Sequence, residues 1–337
     1  MNLRRFLILI GVLGIILLIF STFGNPSTIV HAFSQVRWYV VPLVIAAQII
    51  SYYYNARYYQ EFFAIFGHNV SFRRLYEASL AVVFANQAIP SGGVAGTTYL
   101  AEAVKGSGVA AGQTTLAQLN RYIFTFLSYF IVLAFGFLML LFGNDLDKVS
   151  VRFMILLMVI VLAAGFVLLA VFSERSRLEI LLAPIIRALN KSGRLLFRRR
   201  RKPLVSTAQL SAFLDEFYHG IREILGHKGQ WPALLWWSLG DNLAEVATLY
   251  AVFIGFGSWP NPGIVISAYT LGIAVSVAGV LVNGIGVYEA GLIGTFTALG
   301  IPFSLAFAVV IVYRILSFVL FLPPGLHYYR KHLKEAA

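Results

Sequence analysis

Six stretches of the chain stay apolar for close to or beyond the ~20 residues that cross a bilayer: Phe6 to Phe23, Trp38 to Phe66, Thr114 to Phe142, Val151 to Phe172, Trp231 to Phe256 and Phe303 to Leu322. They read as membrane helices. Two further apolar stretches are broken by residues that a helix does not accept. The first break is Asn86-Gln87-Ala88-Ile89-Pro90-Ser91-Gly92-Gly93-Val94-Ala95-Gly96. Proline removes a backbone donor and clashes with the preceding turn, and paired glycines open left-handed conformations, so Ala78 to Ile89 does not continue as one helix into Ala95 to Val104. The second break is Asn283-Gly284-Ile285-Gly286-Val287-Tyr288-Glu289-Ala290-Gly291. Non-helical backbone at membrane depth survives only inside protein or around a water-filled cavity. Each break therefore points to a polar site, and two breaks in corresponding positions of two halves are the pattern of a transporter's binding site.

Composition agrees with this pattern. The chain has 337 residues, 59% of them hydrophobic and 12% charged, with a mean hydropathy of +0.80, whereas about a quarter of a soluble domain is charged. The net charge of +12 comes from basic residues in loops beside apolar spans. That is the positive-inside pattern, with anionic lipid rather than nucleic acid as the neighbour. Without cysteine there is no disulfide framework and no thiol chemistry. Arg4-Arg5 ahead of Phe6 to Phe20 resembles a signal peptide, but small residues at cleavage spacing are not evident through Asn25. An uncleaved first span is the favoured reading.

Parity of the spans decides the topology. With Arg4-Arg5, Arg73-Arg74 and the basic stretch from Ser173 to Gln230 cytoplasmic, the first break must leave and return on the cytoplasmic side and the second on the outside. The expectation is an all-α polytopic protein of the prokaryotic plasma membrane, with six transmembrane helices, two re-entrant hairpins and both termini cytoplasmic. The alternative in which both broken segments cross puts the central basic loop outside. The chain divides into a first half (1–172), a basic loop (173–230), a second half (231–325) and a cytoplasmic tail (326–337). The halves look like an inverted repeat, since each has a hairpin with an Asn at its break and then a helix carrying an arginine: Asn86 then Arg121, Asn283 then Arg314. In the loop, Arg198 to Lys202 is a polybasic run suited to anionic headgroups. Ser206 and Gln209 fit a capping box, and Leu210, Phe213, Leu214, Phe217, Ile221, Ile224 and Leu225 recur at helical spacing. This helix either lies on the membrane surface or docks on the bundle.

The candidate binding site is formed by the breaks and the two arginines: Asn86, Pro90, Gly92, Gly93 and Arg121 in the first half, and Asn283, Gly284, Gly286, Glu289 and Arg314 in the second. Ionisable groups at membrane depth face the bundle interior and have partners. Asp241 and Glu245, four apart on one helix face, are the expected ion-pair partners. These arginines either fix helix register through buried ion bridges or meet an anionic headgroup. Helices restarting after Gly93 and Gly286 present N-terminal amides and a positive dipole end, which favour a phosphate. Glu289 opposes this unless it pairs with Arg314 or exchanges a proton. Asp145-Leu146-Asp147 has the D-x-D spacing by which some glycosyltransferases hold a metal and a sugar phosphate. The six histidines show no metal spacing, and neither a Walker loop nor a G-x-S-x-G elbow occurs. No cofactor and no metal are expected.

The run Asn86-x-x-x-Pro90-x-Gly92-Gly93, then Gly106 or Gly108 and Arg121, and later Gly284-x-Gly286-Val287-x-Glu289-Ala290, resembles the lysylphosphatidylglycerol synthase transmembrane-region family over roughly Arg4 to Pro324. The second motif has Val282 and Asn283 where the family usually has Pro and Gly. In the multiple peptide resistance factors this region precedes a soluble aminoacyl-transferase domain and is held to flip the lipid product. No synthase domain is expected in this chain, so the resemblance implies lipid translocation and not lysyl transfer. The expected function is flipping of an anionic or phosphate-bearing lipid, with membrane phospholipid as partner, no nucleic acid, and a separate lipid-modifying enzyme as a further candidate partner. The other readings are a lipid-linked glycosyl or headgroup transferase using Asp145 and Asp147, and a non-catalytic scaffold for an envelope enzyme.

Overall fold

A computed structural model describes residues 34–88, 93–142, 159, 170, 174–196, 207–278 and 286–335. Eleven α-helices and no strand occur among the described residues. They are α1 (Val40–Ile65), α2 (Phe72–Ala88), α3 (Val94–Val104), α4 (Ala111–Phe142), α5 (Arg175–Leu196), α6 (Thr207–Gly226), α7 (Trp231–Gly255), α8 (Pro262–Ala278), α9 (Val287–Ala298), α10 (Phe303–Ser317) and α11 (Leu322–Glu335). The expected spans at Phe6 to Phe23 and Val151 to Phe172 lie outside the described residues, wholly or nearly so, as does the polybasic run.

The chain forms two compact units, one of residues 1–158 with 230–337 and one of 159–229. In the larger unit the polar residues are inside and many large apolar ones outside. On α1, Gln48, Ser51 and Asn55 are buried while Leu43, Ile49 and Ile50 are exposed. On α7, Ser238, Asp241, Asn242 and Thr248 are buried while Trp236 and Leu243 are exposed. Exposed apolar area on this scale needs an apolar surrounding. Two of the described stretches, 112–142 and 303–332, are long and apolar enough by themselves to cross a membrane. The helices α1 and α7 carry their polar stripes inward, against each other.

The order of elements repeats. A shift of 190 residues carries the turn after α1 onto the turn after α7, with left-handed Gly67 (φ 76°) on Gly257 (φ 72°). The same backbone bonds close both turns, from the amides of Gly67 and His68 to Ala64 and Phe63, and from those of Gly257 and Ser258 to Ile254 and Phe253. Next come α2 and α8, each of 17 residues. Then α3 and α9 each restart after a glycine with positive φ, Gly93 (94°) and Gly286 (81°). Each arginine follows 28 residues after its glycine, at Arg121 and Arg314. Asn86 lies seven residues before its glycine and Asn283 three before its own, so the two asparagines fall at different positions of this register.

The helices α1 and α7 pack antiparallel, with Val40 against Gly255, Gln48 bonded to Thr248, Ser51 to Asp241, and Tyr54 against Gly240. A side chain at Gly240 would overlap the Tyr54 ring, with a Cβ only 2.3 Å from Cε1. Ser51 and Asp241 are themselves related by the shift of 190.

Two parts depart from the sequence reading. The basic loop holds a helix, α5, that was not expected, with Pro184 inside it. Its apolar residues Leu178, Ile180 and Leu181 are short interruptions in a charged run and do not resemble a span. In the smaller unit Arg175 meets Asp215 of α6 and donates to Ser211 at 3.0 Å. The tail is also helical. The expected span from Phe303 ends at Ser317, a 3-10 turn covers Val319–Phe321, and α11 then runs to Glu335. Pro323 and Pro324 fall in its first turn, where proline loses no helix bond.

Candidate functional site

Among the described residues of the larger unit, one interior cluster brings together Arg121, Arg314, Asp241, Glu245 and Glu289, and neighbouring helices place each of them. Arg121 on α4 donates from Nη2 to Asp241 Oδ2 on α7 at 3.1 Å. Its guanidinium also lies over the Tyr59 ring, 5.7 Å from the centroid. Tyr59 is held in turn by a hydroxyl bond to Gln118 at 2.5 Å. Asp241 takes a second bond from the Ser51 hydroxyl at 2.6 Å. Both carboxylate oxygens of Asp241 are thus engaged.

Glu245, one turn further along α7, meets no arginine. Gln48 Nε2 donates to its Oε1 at 3.0 Å, Ser51 Oγ lies 3.1 Å from the same oxygen, and the Tyr313 hydroxyl lies 3.1 Å from Oε2. Of the two expected ion-pair partners, only Asp241 holds an arginine.

Arg314 finds its carboxylate on α9. Its Nε lies 2.5 Å from Glu289 Oε1, a charge contact whose N–H does not point at the oxygen. The guanidinium also sits over the Tyr288 ring, 4.5 Å from the centroid. Glu289 has a second task, since its Oε2 accepts the backbone N–H of Gly286 at 2.6 Å. This is half of a capping box on the first turn of α9. The carboxylate therefore occupies the anion position that the helix end offers.

The first hairpin differs at the same register. Gly96 stands where the second half has Glu289, and its N–H donates to Asn86 Oδ1 at 2.8 Å. Asn86 thus staples α2 to the start of α3. A Cβ at Gly96 would lie 2.4 Å from that side chain. Gly93 is crowded too, since a Cβ there would come within 2.6 Å of the Tyr122 hydroxyl. The start of α3 therefore lies against Tyr122, the residue after Arg121, and its first turn contains no acid. Pro90, Gly92, Asn283 and Gly284 fall outside the described residues, as do Asp145 and Asp147.

A second polar cluster, not anticipated from sequence, ties α11 to the hairpin of α2 and α3. Glu77 on α2 accepts Lys331 Nζ at 2.6 Å and Arg73 Nε at 3.1 Å, and His332 Nε2 lies 3.3 Å away. His332 Nδ1 meets the Tyr99 hydroxyl at 2.6 Å. Burial raises the pKa of the Glu77 carboxyl, but the bonds from Lys331, Arg73 and His332 outweigh it, so the group titrates below its ordinary range. The pairing of a mid-helix Glu with two residues of the tail leaves no periodic signal.

An open groove of about 810 Å³ lies at the far end of α4, lined by Phe135, Leu138 and Phe142 with Tyr250 and Trp259. It shares no residue with the charged cluster. Among the described residues no three His, Asp or Glu side chains are arranged to hold a metal.

The sequence matches known membrane proteins. A UPF0104 membrane protein of Methanothermobacter thermautotrophicus is 26% identical over 257 residues, covering 74% of this chain and 71% of that protein. The model of the lysylphosphatidylglycerol synthase TM region matches residues 6–325, and the chain belongs to that membrane-domain family.

Proposed function

We propose that the protein moves an anionic, phosphate-bearing lipid between the leaflets of a prokaryotic plasma membrane. In this reading the bundle has six spans, the α2–α3 and α8–α9 hairpins are re-entrant from opposite sides as an inverted repeat, and both termini are cytoplasmic. The family supports a lipid substrate, because its name refers to the membrane region of an enzyme that makes a phospholipid.

One observation carries the assignment of the headgroup site. The N-terminus of α9 is filled by Glu289, which also neutralises Arg314. In the matching place α3 has Gly96 and no acid in its first turn, with Tyr122 against its first glycine and Arg121 beside Tyr122 in sequence. A helix end without an acid favours an oxyanion. Arg121 is 18% exposed at its side chain, so a headgroup can reach it without unfolding the bundle. On arrival the phosphate shares Arg121 with Asp241.

The test is a scramblase assay in proteoliposomes, following dithionite quenching of fluorescent phospholipids. Wild type is expected to let quenching pass well beyond the outer-leaflet half. Arg121→Ala/Asp241→Asn, which removes the guanidinium without stranding a charged partner, is expected to stop at that half. Equal quenching in both would remove the site from the proposal. Quenching confined to the outer leaflet in wild type would remove translocation of the lipid used.

A further inference from the structure

Among the described residues, the charges of the cluster around Asp241 and Glu245 do not balance. Arg121 faces Asp241 and Arg314 faces Glu289, while Glu245 meets only the neutral groups of Gln48, Ser51 and Tyr313. With all five ionised, this cluster carries one surplus negative charge away from water. A buried carboxylate in that position either takes a proton or gathers a cation.

A second observation points to the same place. Asn55 Oδ1 and Ser238 Oγ have no hydrogen-bond partner, although Asn55 is only 6% exposed and Ser238 3%. Buried polar atoms are seldom left without partners. Asn55 lies one turn beyond Ser51 on the α1 face that meets α7, and Ser238 lies three residues before Asp241 on the α7 face that meets α1. The antiparallel register that sets Gln48 against Glu245 and Ser51 against Asp241 sets Asn55 against Ser238 at the next step. The shift of 190 residues interchanges the pair Gln48 and Glu245 with the pair Ser238 and Asn55. Along α7 this face runs from Ser238 through Asp241 to Glu245, so the orphaned oxygens adjoin the Asp241 carboxylate with Glu245 one turn further on, and the seam is oxygen-rich, the donor chemistry that suits hard cations.

We infer that the seam between α1 and α7 binds one exchangeable monovalent cation, either a proton on Glu245 or a sodium ion among these oxygens. The other titratable or charged groups packed around it are Tyr52 on α1, Arg121 and Tyr129 on α4, Tyr269 on α8, Tyr288 on α9, and Tyr313 and Arg314 on α10. The phenols are neutral near pH 7, and both arginines already face a carboxylate. None of them supplies the missing positive charge.

The experiment is infrared difference spectroscopy on the purified full chain in detergent. The carboxyl bands are followed while pH is changed at fixed KCl, and then while NaCl replaces KCl at fixed pH. Glu245→Gln is the reference, an isosteric amide that mimics the neutral acid, with a monodisperse elution profile as its folding control. A pH-driven carboxylic acid band present in wild type and missing from Glu245→Gln assigns a proton. A response to sodium but not potassium, missing from Glu245→Gln, assigns sodium. In the sodium case Asn55→Ala, which alters no charge, is expected to raise the half-saturating sodium concentration about tenfold. Spectra of wild type and Glu245→Gln that respond identically overturn the site. Neither readout requires lipid to move, so failure here leaves the translocation reading untouched.

Discussion

The two hairpins begin their second helices in the same way and finish them differently. Gly93 and Gly286 both take positive φ, and an arginine follows each at the same distance. In the second hairpin a resident carboxylate, Glu289, caps the helix and meets that arginine. In the first, the cap comes from the neutral amide of Asn86 and the arginine reaches across to α7. One hairpin carries its own anion, and the other is built without one. The shared backbone thus carries an internal carboxylate in one half and a neutral amide in the other, the difference on which the proposed headgroup site rests.

This comparison is open to attack at several points. The largest expected effect is from Glu289→Ala, which leaves Arg314 buried without its carboxylate and uncaps α9. Breaking a buried pair of this kind costs ~3–5 kcal/mol, seen as a large fall in the thermal unfolding midpoint in detergent. Loss of less than ~1 kcal/mol would mean that Glu289 is not structural. Gly93→Ala is expected to destabilise by ~1–3 kcal/mol, since it adds a side chain at φ +94° and 2.6 Å from the Tyr122 hydroxyl. Gly286→Ala has similar strain but nothing within 4 Å, so it should cost the lower end of that range. Equal midpoints for the two would show that crowding by Tyr122 does not distinguish the hairpins.

The smallest effect concerns the contact between α11 and the first hairpin. The folded-state pKa of Glu77 is depressed, so its contribution is present above the unfolded carboxyl value of about 4.3 and is lost as pH falls through the lower folded value. Wild type should lose midpoint over that acidic window, and Lys331→Ala should flatten the loss. An unchanged profile in the variant would show that this bridge does not hold α11 in place.

Much of this architecture was legible in the sequence because it rests on local signals. The restart after Gly93 and the ends of α7 follow from Gly and the length of the apolar runs. Arg121 and Arg314 stood out because a charge in an apolar run needs an explanation. Their partners were less accessible. Asp241 and Glu245 looked interchangeable at a spacing of four, and only the crossing of α1 over α7 decides that one receives a guanidinium and the other an amide and two hydroxyls. The capping role of Glu289 was hidden because its short reach to Gly286 looks, in sequence, like a charge opposed to a phosphate. The α5 and α11 helices were missed because each lies in or runs into a charged segment outside the apolar runs, although first-turn placement lets α11 accept Pro323 and Pro324.

The contact between Ser51 and Asp241 has a thermodynamic consequence. These two residues are counterparts under the shift of 190 and also touch, and perfect duplication would place like against like there. Here a hydroxyl faces a carboxylate, so the contact is polarised. Exchanging the roles of the two halves would not regenerate an equivalent molecule. For the translocation proposed above, this asymmetry predicts end states of unequal free energy, with a resting orientation set by the protein before any substrate gradient acts on it.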